Sequence, residues 1–263
     1  MKFSIITPTY NRPEELARNI LSVLNQNKAQ SLNSFSIEHI IINDSPDYNY
    51  SKAENTLIKK HTHTNKTIPS SFYEIKYHKN LGNKGVNHSR NTAIQMATGD
   101  YVIFLDDDDW LAPDALLDIH HALKEVGKVD WLMTNRAYDN GKSITHNNTN
   151  KNRLSYILDY VISKRFSGDS THIIKSELAK RAHFAKHTKQ GEELYFFLQL
   201  PDKFIHRNLN STITDGYMAG GLTDTLKSKY KNNTWDLWKE KLNFKFFTYM
   251  VYRTVLVLKR MYF

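Results

Sequence analysis

Four consecutive aspartates, Asp106 to Asp109, follow the apolar run Tyr101 to Leu105 and precede Trp110. Carboxylates crowded on one loop after a buried strand repel one another, and a cation normally relieves that repulsion. A hard divalent ion such as Mg²⁺ or Mn²⁺ prefers carboxylate oxygen and keeps positions open for phosphate oxygens and water. The competing reading is a solvated acidic turn, and the position of the run favours metal-diphosphate binding. Asp44, with Asn43, ends a second apolar run, where it can accept hydrogen bonds from a base edge or a ribose hydroxyl. Asp before Ser-Pro is equally a turn residue that caps its own backbone. Thr7, Pro8, Tyr10 and Arg12 end a third run and offer a hydroxyl, a ring and a guanidinium to a nucleotide, whereas Asn11 can simply cap the next helix. Lys84 and Arg90 accompany Gly82 and Gly85, which allow close backbone approach to a ligand while the two cations meet its phosphates. Glu192 and Glu193 follow Gly191 at the start of an apolar helix. A carboxylate there can act as general base on an acceptor hydroxyl or simply complement the helix dipole.

Other chemistries lose their support at the same residues. The glycine-bearing stretch lacks the Gly-Lys-Ser/Thr ending of a phosphate loop and the Gly-x-Gly-x-x-Gly spacing of a dinucleotide site. His183 and His187 stand at i, i+4 without the glutamate of a His-Glu-x-x-His zinc site. Zero cysteines exclude disulfides, zinc-thiolate sites and thiol nucleophiles.

The elements that must carry these residues alternate. Residues 3–7 read as a strand, and Pro13 with Glu14 and Glu15 starts a helix whose Leu16, Ile20, Val23 and Leu24 share one face. Strands are expected at 37–42 and 73–77, a helix at about 87–97 with Ala93, Met96 and Ala97 inward, a strand at 101–105 and a helix from near Pro113. Beyond these come a strand at 131–135, a turn at 139–141, an amphipathic helix at 154–162, a strand at 171–175 and a helix at 192–200, with 147–152 as a flexible joint. Such alternation predicts an α/β fold whose mainly parallel sheet binds ligands beyond the carboxyl ends of its strands.

Composition agrees with a globular enzyme: 40% hydrophobic and 24% charged residues exclude wholesale disorder. Of the formal charge of +9, most sits in Lys227 to Phe263, where seven Lys and two Arg face only Asp236 and Glu240. A near-neutral core with a basic tail argues against a nucleic-acid-binding surface. Residues 242–263 read as a basic, aromatic amphipathic helix able to lie on an anionic membrane, or to pack on its own sheet or a second subunit. With Pro8 so close to the first residue there is no room for a secretory signal, and no stretch reaches about 20 apolar residues, so a cytoplasmic protein, peripheral on the inner membrane face, is expected.

Taken in order, Ile5 to Arg12, Ile41 to Ser45, Arg90-Asn91 with Gly99-Asp100-Tyr101, and Phe104 to Trp110 resemble glycosyltransferase family 2, of the GT-A (Rossmann-like) fold. Gly191-Glu192-Glu193 resembles that family's later acidic motif more weakly. The resemblance implies a UDP- or other NDP-sugar donor, Mn²⁺ or Mg²⁺ as cofactor, and inversion at the anomeric carbon. It assigns Asp44 to the nucleoside, Asp106 and Asp107 to the sugar nucleotide, Asp106 and Asp108 to the metal, and Glu193, with Glu192 beside it, to the base. It implies a GT-A domain over 1–222, with a donor half at 1–125 and an acceptor half at 126–222, and a helical extension at 223–263. A glycan or lipid-linked acceptor in bacterial surface polysaccharide or lipooligosaccharide synthesis follows from the same resemblance. Departures from the pattern are Asn43-Asp44-Ser45-Pro46 for Asp-Asp-Gly-Ser, Ala182-His183-Phe184-Ala185 for Gly-Gly-Phe, and Glu192-Glu193 for Glu-Asp. The alternatives are a nucleotidyltransferase, which needs a glycine-rich phosphate loop after its first strand, and a non-catalytic membrane or nucleic-acid-binding protein on the same fold.

Overall fold

The computed structural model describes residues 1–26, 35–45, 47–51, 72–186, 188–191, 193–210 and 213–216. The expected extension at 223–263, and with it the membrane helix at 242–263, lies outside the described residues, as do Pro46, His187 and Glu192.

In chain order the strands are β1 (Lys2–Thr9), β2 (Ser36–Asn43), β3 (Tyr73–Lys79), β4 (Tyr101–Phe104), β5 (Trp110–Leu111), β6 (Trp131–Tyr138), β7 (His146–Asn147), β8 (Arg153–Ser155), β9 (Phe166–Ser167), β10 (Ser170–Lys175), β11 (Lys203–Arg207) and β12 (Ile213–Asp215). The helices are α1 (Pro13–Leu24), α2 (Val86–Met96), α3 (Ala115–Val126), α4 (Ser176–Arg181) and α5 (Glu193–Leu198). The main sheet runs β3-β2-β1-β4-β10-β6-β11-β8. Its first four strands are parallel, β10 is antiparallel to both β4 and β6, and β11 is again parallel to β6. The sheet is therefore mainly parallel but mixed, and the expected donor and acceptor halves share it.

β1 and β2 are apolar almost throughout because both faces are covered. Phe3, Ile5, Ile37 and Ile41 pack on one side with Leu16, Ile20 and Val23 of α1 and Leu116, Ile119 and Leu123 of α3. Ile6, Ile40 and Ile42 pack on the other with Ala93 and Ile94 of α2, Trp131, Phe184 and Phe196. Ala93 and Ala97 are fully buried, as their spacing predicts.

Register places the functional loops together. Thr9 pairs with Asn43, Asn43 with Lys79, and Ile6 with Phe104. Three strands thus end at one level while β4 stops three residues short of it, and the loops at 10–12, 44–45, 80–85 and 105–109 emerge on the same edge. A buried carboxylate secures the opposite end. Glu38 accepts from Ser4 Oγ at 2.5 Å and from Gly99 N at 3.0 Å, and pairs with Lys76 at 2.7 Å. Burial alone would raise its pKa, but Lys76 and these hydrogen bonds hold it well below the carboxylate range. The turn that launches β4 toward the aspartates is fixed in this way.

Two expectations change. The amphipathic stretch at 154–162 begins as β8 and continues as a π-helix, Tyr156–Ile162, which Ser155 caps by accepting from Leu158 N at 3.0 Å. The Asn-rich segment expected as a flexible joint is a hydrogen-bonded turn, with Asn147 Oδ1 accepting from Thr149 N at 3.0 Å and Thr149 Oγ1 at 2.8 Å.

Candidate active site

Asn11 does not cap α1. It adopts φ 56°, a left-handed conformation that Asn tolerates, and Arg12 holds the cap position without a side-chain cap bond. That turn sends the Arg12 guanidinium back to the acidic run, 3.2 Å from Asp107 Oδ1 and 2.5 Å from Asp108 Oδ2. Tyr10 is about half exposed on the same loop. Thr7 is fully buried, and its hydroxyl is committed to Leu105 O at 2.8 Å and His39 Nε2 at 2.9 Å; Pro8 is buried beside it. Both are buried at the strand end.

Asp44 is also committed. It is 3% exposed and accepts from Asn80 Nδ2 at 2.7 Å, Lys84 N at 2.9 Å and Gly85 N at 2.6 Å, so it ties down the loop at 80–85. The Lys84 side chain is exposed above that loop. Gly85, at φ 92°, opens α2 where a Cβ would lie 2.4 Å from Lys189 O. Three side chains at i, i+3 and i+4 on α2 then reach the segment at 184–193. Asn87 Nδ2 donates to Ala185 O and Gly191 O at 3.2 and 3.1 Å, and Asn91 exchanges hydrogen bonds with the Phe184 backbone at 3.0 and 2.7 Å.

Arg90 is the third, and it spans the site. Its Nη1 donates to Glu193 Oε1 at 2.6 Å, while its Nη2 meets Asp106 Oδ1 and Oδ2 at 2.8 and 3.0 Å. Burial would lower the Arg90 pKa, but the charges of Asp106 and Glu193 outweigh it and raise it. Burial would raise Asp106, and Arg90 reverses that and holds it below its ordinary value. Asp107 is pushed up to about 7 chiefly by burial, against the opposing charge of Arg12. Asp109 reaches about 7 by burial, against Arg136, with which it forms an ion pair. Asp108 is raised by burial and by the neighbouring Asp106 charge.

Backbone contacts hold the run in place. Asn19 Nδ2 of α1 donates to Asp106 O at 2.8 Å and Asp109 O at 3.0 Å, and Arg18 Nη2 to Asp108 O at 2.7 Å. A Cβ on Gly216 would strike Asp108 O at 1.8 Å, so β12 can close over the run only with glycine there. Sequence reading missed Asn19, Arg18 and Arg136. Asn19 left a signal, a polar residue inside the apolar face of α1; Arg136 left none.

The donor set permits a divalent ion of one kind. The Asp106 and Asp108 side chains keep 40% and 24% of their surface exposed and feel each other's charge. Among the described residues no three potential ligand side chains lie together. Two carboxylates fit an ion that takes the rest of its shell from phosphate and water, and they do not fit an all-protein cage. In the structure itself, Arg12, Arg90 and Arg136 supply the positive charge.

The sequence model of Glycosyl transferase family 2 matches residues 4–186. The chain is 40% identical over 124 residues to the poly(ribitol-phosphate) β-N-acetylglucosaminyltransferase TarP of Staphylococcus aureus, a match covering 47% of this chain and 33% of that protein. It superposes on S. aureus TarS 1–349 in complex with UDP-GlcNAc with a TM-score of 0.59 at 21% identity, over 83% of this chain and 60% of the other. The mannosyltransferase PcManGT of Pyrobaculum calidifontis, in complex with GDP-Man and Mn²⁺, gives a TM-score of 0.54 at 14% identity, over 83% and 58%. The two superpositions show a shared fold, and the chain spans only part of each of these proteins.

Proposed function

Because this chain belongs to glycosyl transferase family 2, we propose that it transfers a sugar from an NDP-sugar, UDP-sugar first among them, to a hydroxyl of a glycan or glycolipid with inversion. One observation carries the reading: a single guanidinium, Arg90, joins Asp106 at 2.8 Å and Glu193 at 2.6 Å. The residue types suited to a sugar diphosphate and to deprotonation thus face each other across one side chain.

Arg12, Lys84 and Arg90 meet the diphosphate, and Tyr10 lies open to the base at the mouth of the cleft. Asp106 and Asp108 would hold Mn²⁺ or Mg²⁺, which would supply Lewis-acid stabilisation to the leaving diphosphate. Glu193 accepts the proton of the acceptor hydroxyl as its oxygen bonds to the anomeric carbon. The bond to the diphosphate breaks on the opposite face, which inverts the centre. Arg90 fixes the Glu193 carboxylate for that step. Asp44 acts on the nucleoside side through the loop it ties down. The complexes of TarS with UDP-GlcNAc and of PcManGT with GDP-Man and Mn²⁺ support this choice of donor and metal, and the name of TarP, a poly(ribitol-phosphate) transferase, supports a polyol-phosphate polymer as acceptor class.

We place the protein in the cytoplasm with its basic aromatic tail at 242–263 on an anionic inner membrane face, near a lipid-linked acceptor. Among the described residues no helix is long and apolar enough to cross a membrane. Sedimentation with anionic liposomes should be strong at low salt and fall as salt rises; indifference to such liposomes removes the tail from the account. The activity is tested by nucleotide release from a panel of NDP-sugars with Mn²⁺, Mg²⁺ or EDTA. Release from one donor that EDTA abolishes supports the reading, and no release from any donor defeats it.

A further inference from the structure

The donor-side reading leaves one region unused, the cavity beside Glu193. It is open to solvent on one side and has a volume of about 200 Å³, and its walls include Tyr156, Tyr160, His172, Glu193 and Phe197. Sites for drug-sized ligands commonly have about 300–1,000 Å³, so a cavity below that range suits one small unit. Two polar groups in this wall have chemistry set by their neighbours. Trp131 Nε1 lies 3.2 Å from His172 Nδ1. An indole N–H only donates, so Nδ1 accepts and the proton of the neutral ring sits on Nε2. His172 stacks on Phe197 with ring centroids 4.0 Å apart. Burial, helped by Arg136, lowers its pKa to about 3, so the ring stays neutral near pH 7. Among the described residues nothing is hydrogen-bonded to its Nε2.

Tyr156 is 3% exposed and stacks on Tyr160 at 5.0 Å. Its hydroxyl, too, has no hydrogen-bond partner among the described residues. Burial first, then the charges around it including Glu193, raise its pKa well above the ordinary value, so it stays a donor. Both groups belong to residues of the cavity wall, where the oxygens of a bound ligand can accept from them.

We propose that this cavity is the acceptor subsite, that it holds one sugar or polyol unit, and that His172 Nε2–H and the Tyr156 hydroxyl donate to its oxygens and turn one hydroxyl toward Glu193. The proposal rests on the transferase reading above. Aromatic faces suit the C–H surface of such a unit, and neutral donors suit its hydroxyl and ring oxygens. The reaction itself is unchanged; the two residues determine which acceptor fits and how it lies.

The test uses the full chain, the donor that wild type turns over, and two kinds of soluble acceptor probe: a panel of methyl hexosides and poly(ribitol phosphate). Tyr156→Phe removes a hydroxyl that makes no hydrogen bond with the described residues, so folding is retained. His172→Phe removes the donor, and His172→Gln restores an N–H at similar reach. One hydrogen bond of about 0.5–1.5 kcal/mol corresponds to about a three- to tenfold change. The expected result is a rise of that size in acceptor KM for Tyr156→Phe and His172→Phe, recovery in His172→Gln, and donor hydrolysis by water within about twofold of wild type. Should His172→Phe fail to fold, Tyr156→Phe decides alone. Unchanged acceptor KM in the folded variants overturns the subsite and leaves the transferase standing. Donor turnover with none of the probes accepted by wild type overturns a sugar or polyol occupant. Wild type that turns over no donor overturns both readings together.

Discussion

Asp106 and Glu193 lie 2.8 and 2.6 Å from the same guanidinium, yet the regions behind them are built from different materials. Behind Asp106 the structure is a lattice of charge: four aspartates, three arginines and the backbone contacts of Asn19 and Arg18. Behind Glu193 it is a stack of rings, with Phe184 on Phe196 at 4.4 Å and Trp131 near Phe197 at 5.8 Å, interrupted by a few neutral polar groups. On the proposed reading a lattice of charge is responsive, because a diphosphate and its ion would exchange partners with the arginines already present. An aromatic wall is preformed and selects by shape. Losses on the charged side should therefore appear in donor and metal dependence, and losses on the aromatic side in the acceptor.

The largest departure from this division is expected at the boundary. Glu193→Gln keeps the Arg90 contact and removes the base, so transfer should fall by about 10² or more while donor binding changes only a few-fold. Donor titration and single-turnover transfer separate the two, and a loss of donor affinity equal to the loss of rate would place Glu193 on the charged side. If Glu192→Gln is the damaging change, the base is one residue earlier. Arg90→Lys should cost about 10² in transfer, because an ammonium cannot span both carboxylates and a misplaced base loses rate steeply. Near wild-type turnover in Arg90→Lys would mean that the two regions are not joined through this side chain.

Smaller effects probe the scaffold. Gly85→Ala forces a side chain into φ 92° and against Lys189 O. It should destabilise the protein by about 1–3 kcal/mol and loosen both regions together. A melting temperature equal to wild type would show that α2 and the segment at 184–193 move apart easily. A further effect, absent at pH 7 and growing as pH falls, concerns ionisation. His39 is fully buried under the charged side and its pKa falls to about 3 through burial. The unfolded chain takes up that proton as pH drops through the ordinary histidine range near 6.5, and the folded chain does not until about 3. Stability is therefore lost as pH falls between those values, by up to about 1.4 kcal/mol per pH unit for this one group. Denaturant unfolding from pH 7 to pH 4 should show a shallower slope in His39→Gln, and an identical slope would assign the acid sensitivity elsewhere.

The two regions also differed in how far they could be read from residues alone. Strand positions on the charged side followed from apolar runs, and parallel strands running toward one edge had to bring the loops of Arg12, Asp44 and Asp106 there. What the pattern could not convey was how each residue is used. Asp44 ties a loop, Thr7 is buried between strands, and the aspartates are met by Arg12, Arg90 and Arg136, because a carboxylate or guanidinium takes whichever partner the fold brings near. Arg136 pairs with Asp109 across 27 positions of sequence, a distance at which local spacing carries no signal. On the aromatic side, the apolar period at 154–162 suited an ordinary helix as well as a π-helix. His172 lay in a short apolar strand where nothing local set its tautomer; Trp131, 41 positions away, does so.

Metal-dependent nucleotide release in wild type and Asp108→Ala tests the central claim most directly, with Mn²⁺ or Mg²⁺ added to an NDP-sugar panel and EDTA as control. In wild type we expect release from at least one donor that EDTA abolishes. In Asp108→Ala, at saturating donor and with the fold verified by its melting curve, we expect that release to be lost. Wild-type release that EDTA leaves untouched, or full release by a folded Asp108→Ala, would contradict the account.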